Sequence, residues 1–156
     1  MPTTSATRGP AGPIEILLQA RIRAPAETVW DMLVDWEHLG AWMLEASNVR
    51  VTSQQREGVG TEVEAKVRIG GIATTDSVRV TRWEPPHALG IDHLGRVKGH
   101  AVIECTPTDS GTRVTWTERL HAPMGVVGAL GIRAFKPLMT KTFARDLGAL
   151  KRRCEL

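Results

Sequence analysis

Apolar and polar residues alternate from Ile14 to Arg23. Ile14, Ile16, Leu18, Ala20 and Ile22 fall on one face and Glu15, Gln19, Arg21 and Arg23 on the other, with Leu17 the exception. A two-residue period of this kind predicts a half-buried strand. Pro25 stops the strand and opens a short helix, with Glu27 near its positive end and Val29, Trp30 and Leu33 as its apolar stripe. Asp35 is placed to cap a second short helix, whose Leu39, Trp42 and Met43 are spaced i, i+3, i+4.

From Asn48 onward the pattern is that of strands. Val49 to Thr52 is a short one. Thr61 to Ile69 turns Thr61, Val63, Ala65, Val67 and Ile69 to one side and Glu62, Glu64, Lys66 and Arg68 to the other. Gly70-Gly71 reads as a tight turn into Ala73 to Trp83, which Pro85-Pro86 ends. Leu89 to His93 and Lys98 to Thr106 form a hairpin around Gly95, and Thr108 to Gly111 turn into a last strand, Arg113 to Leu120. After Pro123 comes a long helix with Phe143, Leu147, Leu150 and Cys154 at helical spacing. Gly125, Gly128 and Gly131 make its first half loose, each weakening it by roughly 1 kcal/mol relative to alanine. Pro137 is expected to kink or briefly break it.

Strands this close together in sequence must pair antiparallel, because parallel neighbours need long crossovers. Their one-sided alternation requires a cover, and only the C-terminal helix is long enough to provide it. The expectation is a curved antiparallel sheet wrapped around that helix, with a hollow between them under the glycine-rich half. At 156 residues the chain is one domain, 14–156, preceded by a tail, 1–13, of small residues, Pro and Gly that is expected to be disordered. Hydrophobic content of 42% is ordinary for a globular protein, and no run approaches the ~18 apolar residues of a membrane span. The tail is read as neither signal peptide nor anchor. Net charge is only +3, and Arg21, Arg23, Arg68, Arg79, Arg113 and Arg119 are scattered along separate strands, which argues against a nucleic-acid partner. The two cysteines, Cys105 and Cys154, make neither a disulfide framework nor a zinc site, so a reducing, cytoplasmic setting is expected. An exposed sheet edge is compatible with a homodimer.

Several short segments stand in a familiar order: Ile22-Arg23-Ala24-Pro25 and Glu27-Thr28-Val29-Trp30, Asp35-Trp36 leading to Trp42, Gly60-Thr61, Val80 through Pro86, Gly111 through Trp116, and Arg145 through Lys151. In that order they resemble the START-like or Bet v 1-like (SRPBCC) superfamily, and within it the bacterial polyketide cyclase/dehydrase group. The resemblance covers nearly all the chain after Pro13. It implies an α+β helix-grip fold: a curved antiparallel sheet of about six to seven strands around a long C-terminal helix, with two short helices after the first strand. The superfamily includes lipid carriers, hormone receptors and aromatase/cyclases, so it shares a cavity and not a chemistry.

Inward register assigns the cavity wall to Val63, Val67, Val78, Ile91 and Trp116 from the strands, and to Leu130, Phe135, Met139 and Phe143 from the helix. Four titratable residues share faces with apolar ones: Glu118 with Trp116, His93 with Ile91, His100 with Val102, and Asp76 with Val78. They are the candidates for an acid/base or ligand-orienting set. The competing reading leaves Glu118 in water near a strand end and His93 and His100 at an exposed hairpin tip. No histidine pair has zinc-site spacing, so neither a metal nor a cofactor is expected. Three functions compete: a carrier or receptor for a small apolar molecule such as a polyketide, lipid or aromatic metabolite; a polyketide cyclase/dehydrase-type enzyme; and an interaction protein with a collapsed cavity.

Overall fold

The computed structural model describes residues 12–122 and 125–156. The tail, through residue 11, lies outside them, as do residues 123 and 124, where the last helix was expected to begin, and the side chains of residues 125–127 and 129. The elements run β1 (Ile14–Ile22), α1 (Ala26–Leu33), a 3₁₀ turn (Trp36–Ala41), β2 (Ala46–Val51), β3 (Glu62–Ile69), β4 (Ile72–Glu84), β5 (Ala88–His93), β6 (Lys98–Thr108), β7 (Gly111–His121) and α2 (Gly125–Cys154). The seven strands form one antiparallel sheet in the order β1-β7-β6-β5-β4-β3-β2. This is the helix-grip arrangement. Consecutive strands β1 and β2 therefore occupy opposite edges, and α1 with the 3₁₀ turn carries the chain from one to the other.

The alternation read from β1 holds: Ile14, Ile16 and Ile22 are buried, whereas Leu17 is turned to solvent. In β4 the register shifts between Val80 and Arg82. The extra residue returns Trp83, rather than Arg82, to the inner face opposite Leu89. There its ring stands 5.1 Å from that of Trp30 and 6.4 Å from that of Trp36, so the bulge is what docks the short helices on the sheet.

Two local expectations change. Asp35 does not cap a helix; its carboxylate meets the His38 ring nitrogen at 2.9 Å, and the following turn is 3₁₀. Pro137 does not break the last helix, which runs unbroken from Gly125 to Cys154. Its ring removes one N–H donor, a loss that an otherwise complete helical ladder tolerates at an exposed position.

α2 is anchored along β1 by its second half, where Met139, Phe143, Leu147, Leu150 and Cys154 are buried. Lys151 Nζ donates to the Arg21 carbonyl at 2.7 Å, and the Arg23 N–H donates to Glu155 at 3.1 Å. The first half is held differently. Gly70, at φ 58°, and Gly71, at φ 80°, make the tight turn between β3 and β4 that the sequence called for. A Cβ on Gly70 would come within 2.6 Å of Leu138 and 3.3 Å of Phe135, so the tip of this hairpin lies directly against α2.

Candidate functional site

Between the sheet and α2 lies a cavity of about 580 Å³. Its sheet wall is built from the inward positions of β3 to β7, including Val63, Val67, Val78, Ile91 and Trp116, and its helix wall from Gly128, Gly131, Ile132, Phe135, Met139 and Phe143. Three aromatic side chains close its base: Trp116 stands 5.1 Å from Phe143 and 6.3 Å from Trp42. Those contacts fill one end only. The volume above them is what the collapsed alternative required to be absent.

Eight of the nine apolar residues assigned to the wall from the sequence line this space; Leu130 does not. It is 56% exposed on the far side of α2, because the lining positions Gly128 and Ile132 lie on either side of it, two residues away and about 200° around the helix. The glycines and Ile132 occupy the face that had been given to Leu130.

Asp76, His93 and Glu118 converge in the cavity wall. β4 and β5 pair Val78 with His93, and Ala101 on β6 lies opposite both Ile91 and Glu118, so Asp76 and His93 sit on neighbouring strands and Glu118, on β7, lies one strand further on, across β6. Asp76 Oδ2 and His93 Nδ1 are 3.0 Å apart, and His93 Nε2 makes a short hydrogen bond with Glu118 Oε1. The other Glu118 oxygen accepts from the Trp116 indole N–H at 2.8 Å. Glu118 is 3% exposed, so the reading that left it in water is not what the register produces. His100 is not part of this set. It lies opposite Asp92 and Arg119 on the outer face and is exposed, because Ala101 and Ile103 take the inward positions of β6.

Burial of His93 opposes its charged form, but the hydrogen bonds and negative charges of Asp76 and Glu118 outweigh it and raise the pKa to about 10. The imidazole is accordingly a cation at neutral pH, clamped between two carboxylates.

A second acidic pair was not anticipated. Glu45, just before β2, lines the cavity and lies within hydrogen-bond reach of Asp146 on α2. Asp146 Oδ1 accepts the Leu44 N–H at 3.2 Å, with the Arg145 guanidinium at 3.4 Å. Burial, then the hydrogen bond to Asp146 and its charge, push the Glu45 pKa up to about 8, so Glu45 keeps its proton at neutral pH and can donate a hydrogen bond to Asp146. Asp146 stands at i+3 from Phe143 and i−4 from Leu150, on the helix's apolar face, and that acid on a greasy stripe was the available signal. Glu45 had none, since it lies between periodic segments. The cysteines are free and buried, and burial raises both thiols to about 11, which removes them as nucleophiles. Among the described residues no cluster of three potential metal ligands qualifies as a metal site, and no helix is long and apolar enough to cross a membrane.

The family described as "Polyketide cyclase / dehydrase and lipid transport" matches residues 13–155. The chain belongs to that family. An uncharacterised protein of Mycobacterium tuberculosis is 25% identical over 123 residues, which span 76% of this chain and 86% of that one. Among solved structures, TTHA0849 from Thermus thermophilus superposes with a TM-score of 0.77 at 20% identity, covering 90% of this chain and 97% of the other. The ZhuI aromatase/cyclase from Streptomyces sp. R1128 superposes at 0.76 and 17% identity, covering 92% and 94%. At these identities the two structures establish the polyketide cyclase/dehydrase family fold for this chain and leave its chemistry to its own residues.

Proposed function

We propose that this polyketide cyclase/dehydrase family member holds a small, largely apolar molecule, such as a polyketide, lipid or aromatic metabolite, between the sheet and α2. The observation that carries this reading is the cavity itself: about 580 Å³, within the range of small-molecule sites, with an apolar lining over most of its wall and the Asp76–His93–Glu118 cluster set into it beside Glu45. Burying a guest of that size against Val63, Ile91, Met139 and Phe143 contributes roughly 25 cal/mol per Å² of apolar surface removed from water. Two free, buried cysteines support a cytoplasmic location.

The experiment is native mass spectrometry of protein purified from its own host, followed by titration of the delipidated protein with the uncharged dye Nile red. The expected result is a co-purifying small molecule and saturable dye binding that Ile132→Trp, which fills the cavity, abolishes. Absence of both a carried mass and dye binding would overturn the reading.

A second reading, a cyclase or dehydratase acting on the held molecule, is favoured by one observation, the Asp76–His93–Glu118 array. Glu118 faces the cavity as a base, beside an imidazolium able to return a proton, while the wall supplies orientation. Under this reading Glu118→Gln abolishes turnover and spares Nile red binding; unchanged turnover removes it.

A further inference from the structure

The cavity's polar groups differ in what they have left to offer a guest. The three indoles in the lining have each committed their N–H: Trp36 to the Arg56 carbonyl at 2.9 Å, Trp42 to the Met32 carbonyl at 3.4 Å, and Trp116 to Glu118. His93 has both ring nitrogens engaged, one by Asp76 and one by Glu118. Glu45 sets its carboxyl against Asp146. Arg96, Thr74 and Thr75 line the space from the exposed hairpin ends, where water competes for their donors and screens the guanidinium charge. Among the described residues, the buried wall thus presents no free donor. What remains is acceptor capacity: a second lone pair on each Glu118 oxygen, and Asp76 Oδ1.

The charge count points the same way. Asp76, His93 and Glu118 together hold two carboxylates and one imidazolium, a net charge of −1. That sum is unchanged if the shared proton sits on Glu118 instead of His93, and in either arrangement no donor is released to the cavity. A guest that brought a carboxylate here would add a third negative group with nothing to donate to it, which is the costly case for buried charge. A guest that brought an N–H or O–H would meet waiting acceptors, and a cation would also neutralise the surplus charge.

Resting on the reading that the cavity holds an apolar guest, we propose that this guest carries a hydrogen-bond donor head directed at Glu118 and Asp76, a protonated amine before a neutral hydroxyl, and that carboxylates are rejected. Selectivity of this kind comes from unpaired groups in the wrong complex as much as from contacts in the right one.

The test is isothermal titration of the full chain with decylamine, decanol and decanoate, each also competed against Nile red to place it in the cavity. The expected order is decylamine tightest, decanol about tenfold weaker, since charge-assisted hydrogen bonds are roughly twice as strong as neutral ones, and decanoate weakest. In Glu118→Gln, whose amide supplies donors, the amine should lose its advantage and decanoate should gain. Should that variant fail to fold by circular dichroism, Asp76→Asn reads the same preference. Equal binding of all three, decanoate binding tightest, or Nile red binding with none of the three would overturn the inference and leave the cavity reading standing. If neither the dye nor any of the three binds, the cavity reading falls and this inference with it.

Discussion

Trp116 and Glu118, two residues apart on β7, face the same way, and the indole of the first holds the carboxylate of the second at 2.8 Å. Glu118 is thereby fixed from one side by its own strand and from the other by His93 on β5. Removing His93 leaves a carboxylate inside an apolar wall with its compensating charge gone. His93→Ala should destabilise the fold by about 3 kcal/mol, read from urea denaturation midpoints at neutral pH. His93→Ala combined with Glu118→Gln should recover much of that loss. A single variant as stable as the parent would mean that Glu118 is not held as a buried ion.

Folding stability should fall from acid to alkaline pH, through two overlapping windows. Glu45, raised to about 8 from 4.5, binds its proton more tightly in the folded state, so its contribution erodes as pH rises from 4.5 through 8. His93, raised to about 10 from 6.5, contributes fully below 6.5 and loses that contribution as pH climbs through 10. Glu45→Gln, which can still donate to Asp146, should flatten the first window and leave the second. Thermal melts at intervals between pH 5 and 10 check this, and a stability that rises across the range contradicts it.

Among the described residues, Asp146 Oδ2 is buried with no other hydrogen-bond partner, and the protonated Glu45 lies within hydrogen-bond reach of the Asp146 carboxylate. Glu45→Ala should therefore destabilise by about 2 kcal/mol, more than its loss of contact alone, because a buried acceptor is left unsatisfied. Asp146→Asn with Glu45 intact should be milder. Chemical denaturation of the two variants side by side distinguishes them.

Gly131 faces the cavity, and a Cβ built there meets nothing within 4 Å. Gly131→Ala should stabilise α2 by about 1 kcal/mol without contact with a neighbour. The methyl group would take only a small part of the open volume, so Nile red should still bind. A destabilised variant would show that the gap over this turn is smaller than 580 Å³ implies.

Strand existence, inward register and the covering helix were legible because two-residue and helical periods leave a direct trace in the order of residues. The convergence of Asp76, His93 and Glu118 was partly legible: each shared a face with apolar neighbours, and the antiparallel order then set Asp76 beside His93 and Glu118 one strand further across. His100 was misjudged because Gly99 and Ala101 flank it, and residues without bulk carry little information about which face is inside. Leu130 was misjudged for the opposite reason. A large apolar residue among glycines looks like the buried one, yet here the glycines face the hollow and Leu130 faces water. The Glu45–Asp146 pair joins residues a hundred positions apart through tertiary packing, and only the Asp146 half of it left a local mark.

The two halves of α2 have unequal holdings, so the first half should be the easier one to open. From Met139 onward the helix is seated among core side chains, and removing it would expose the interior. Before that point, among the described residues, its inner surface meets the cavity and one hairpin tip. Backbone amides there should exchange with solvent orders of magnitude faster than those near Leu150. A guest could then be admitted or released by peeling back a few helical turns while the sheet stays intact.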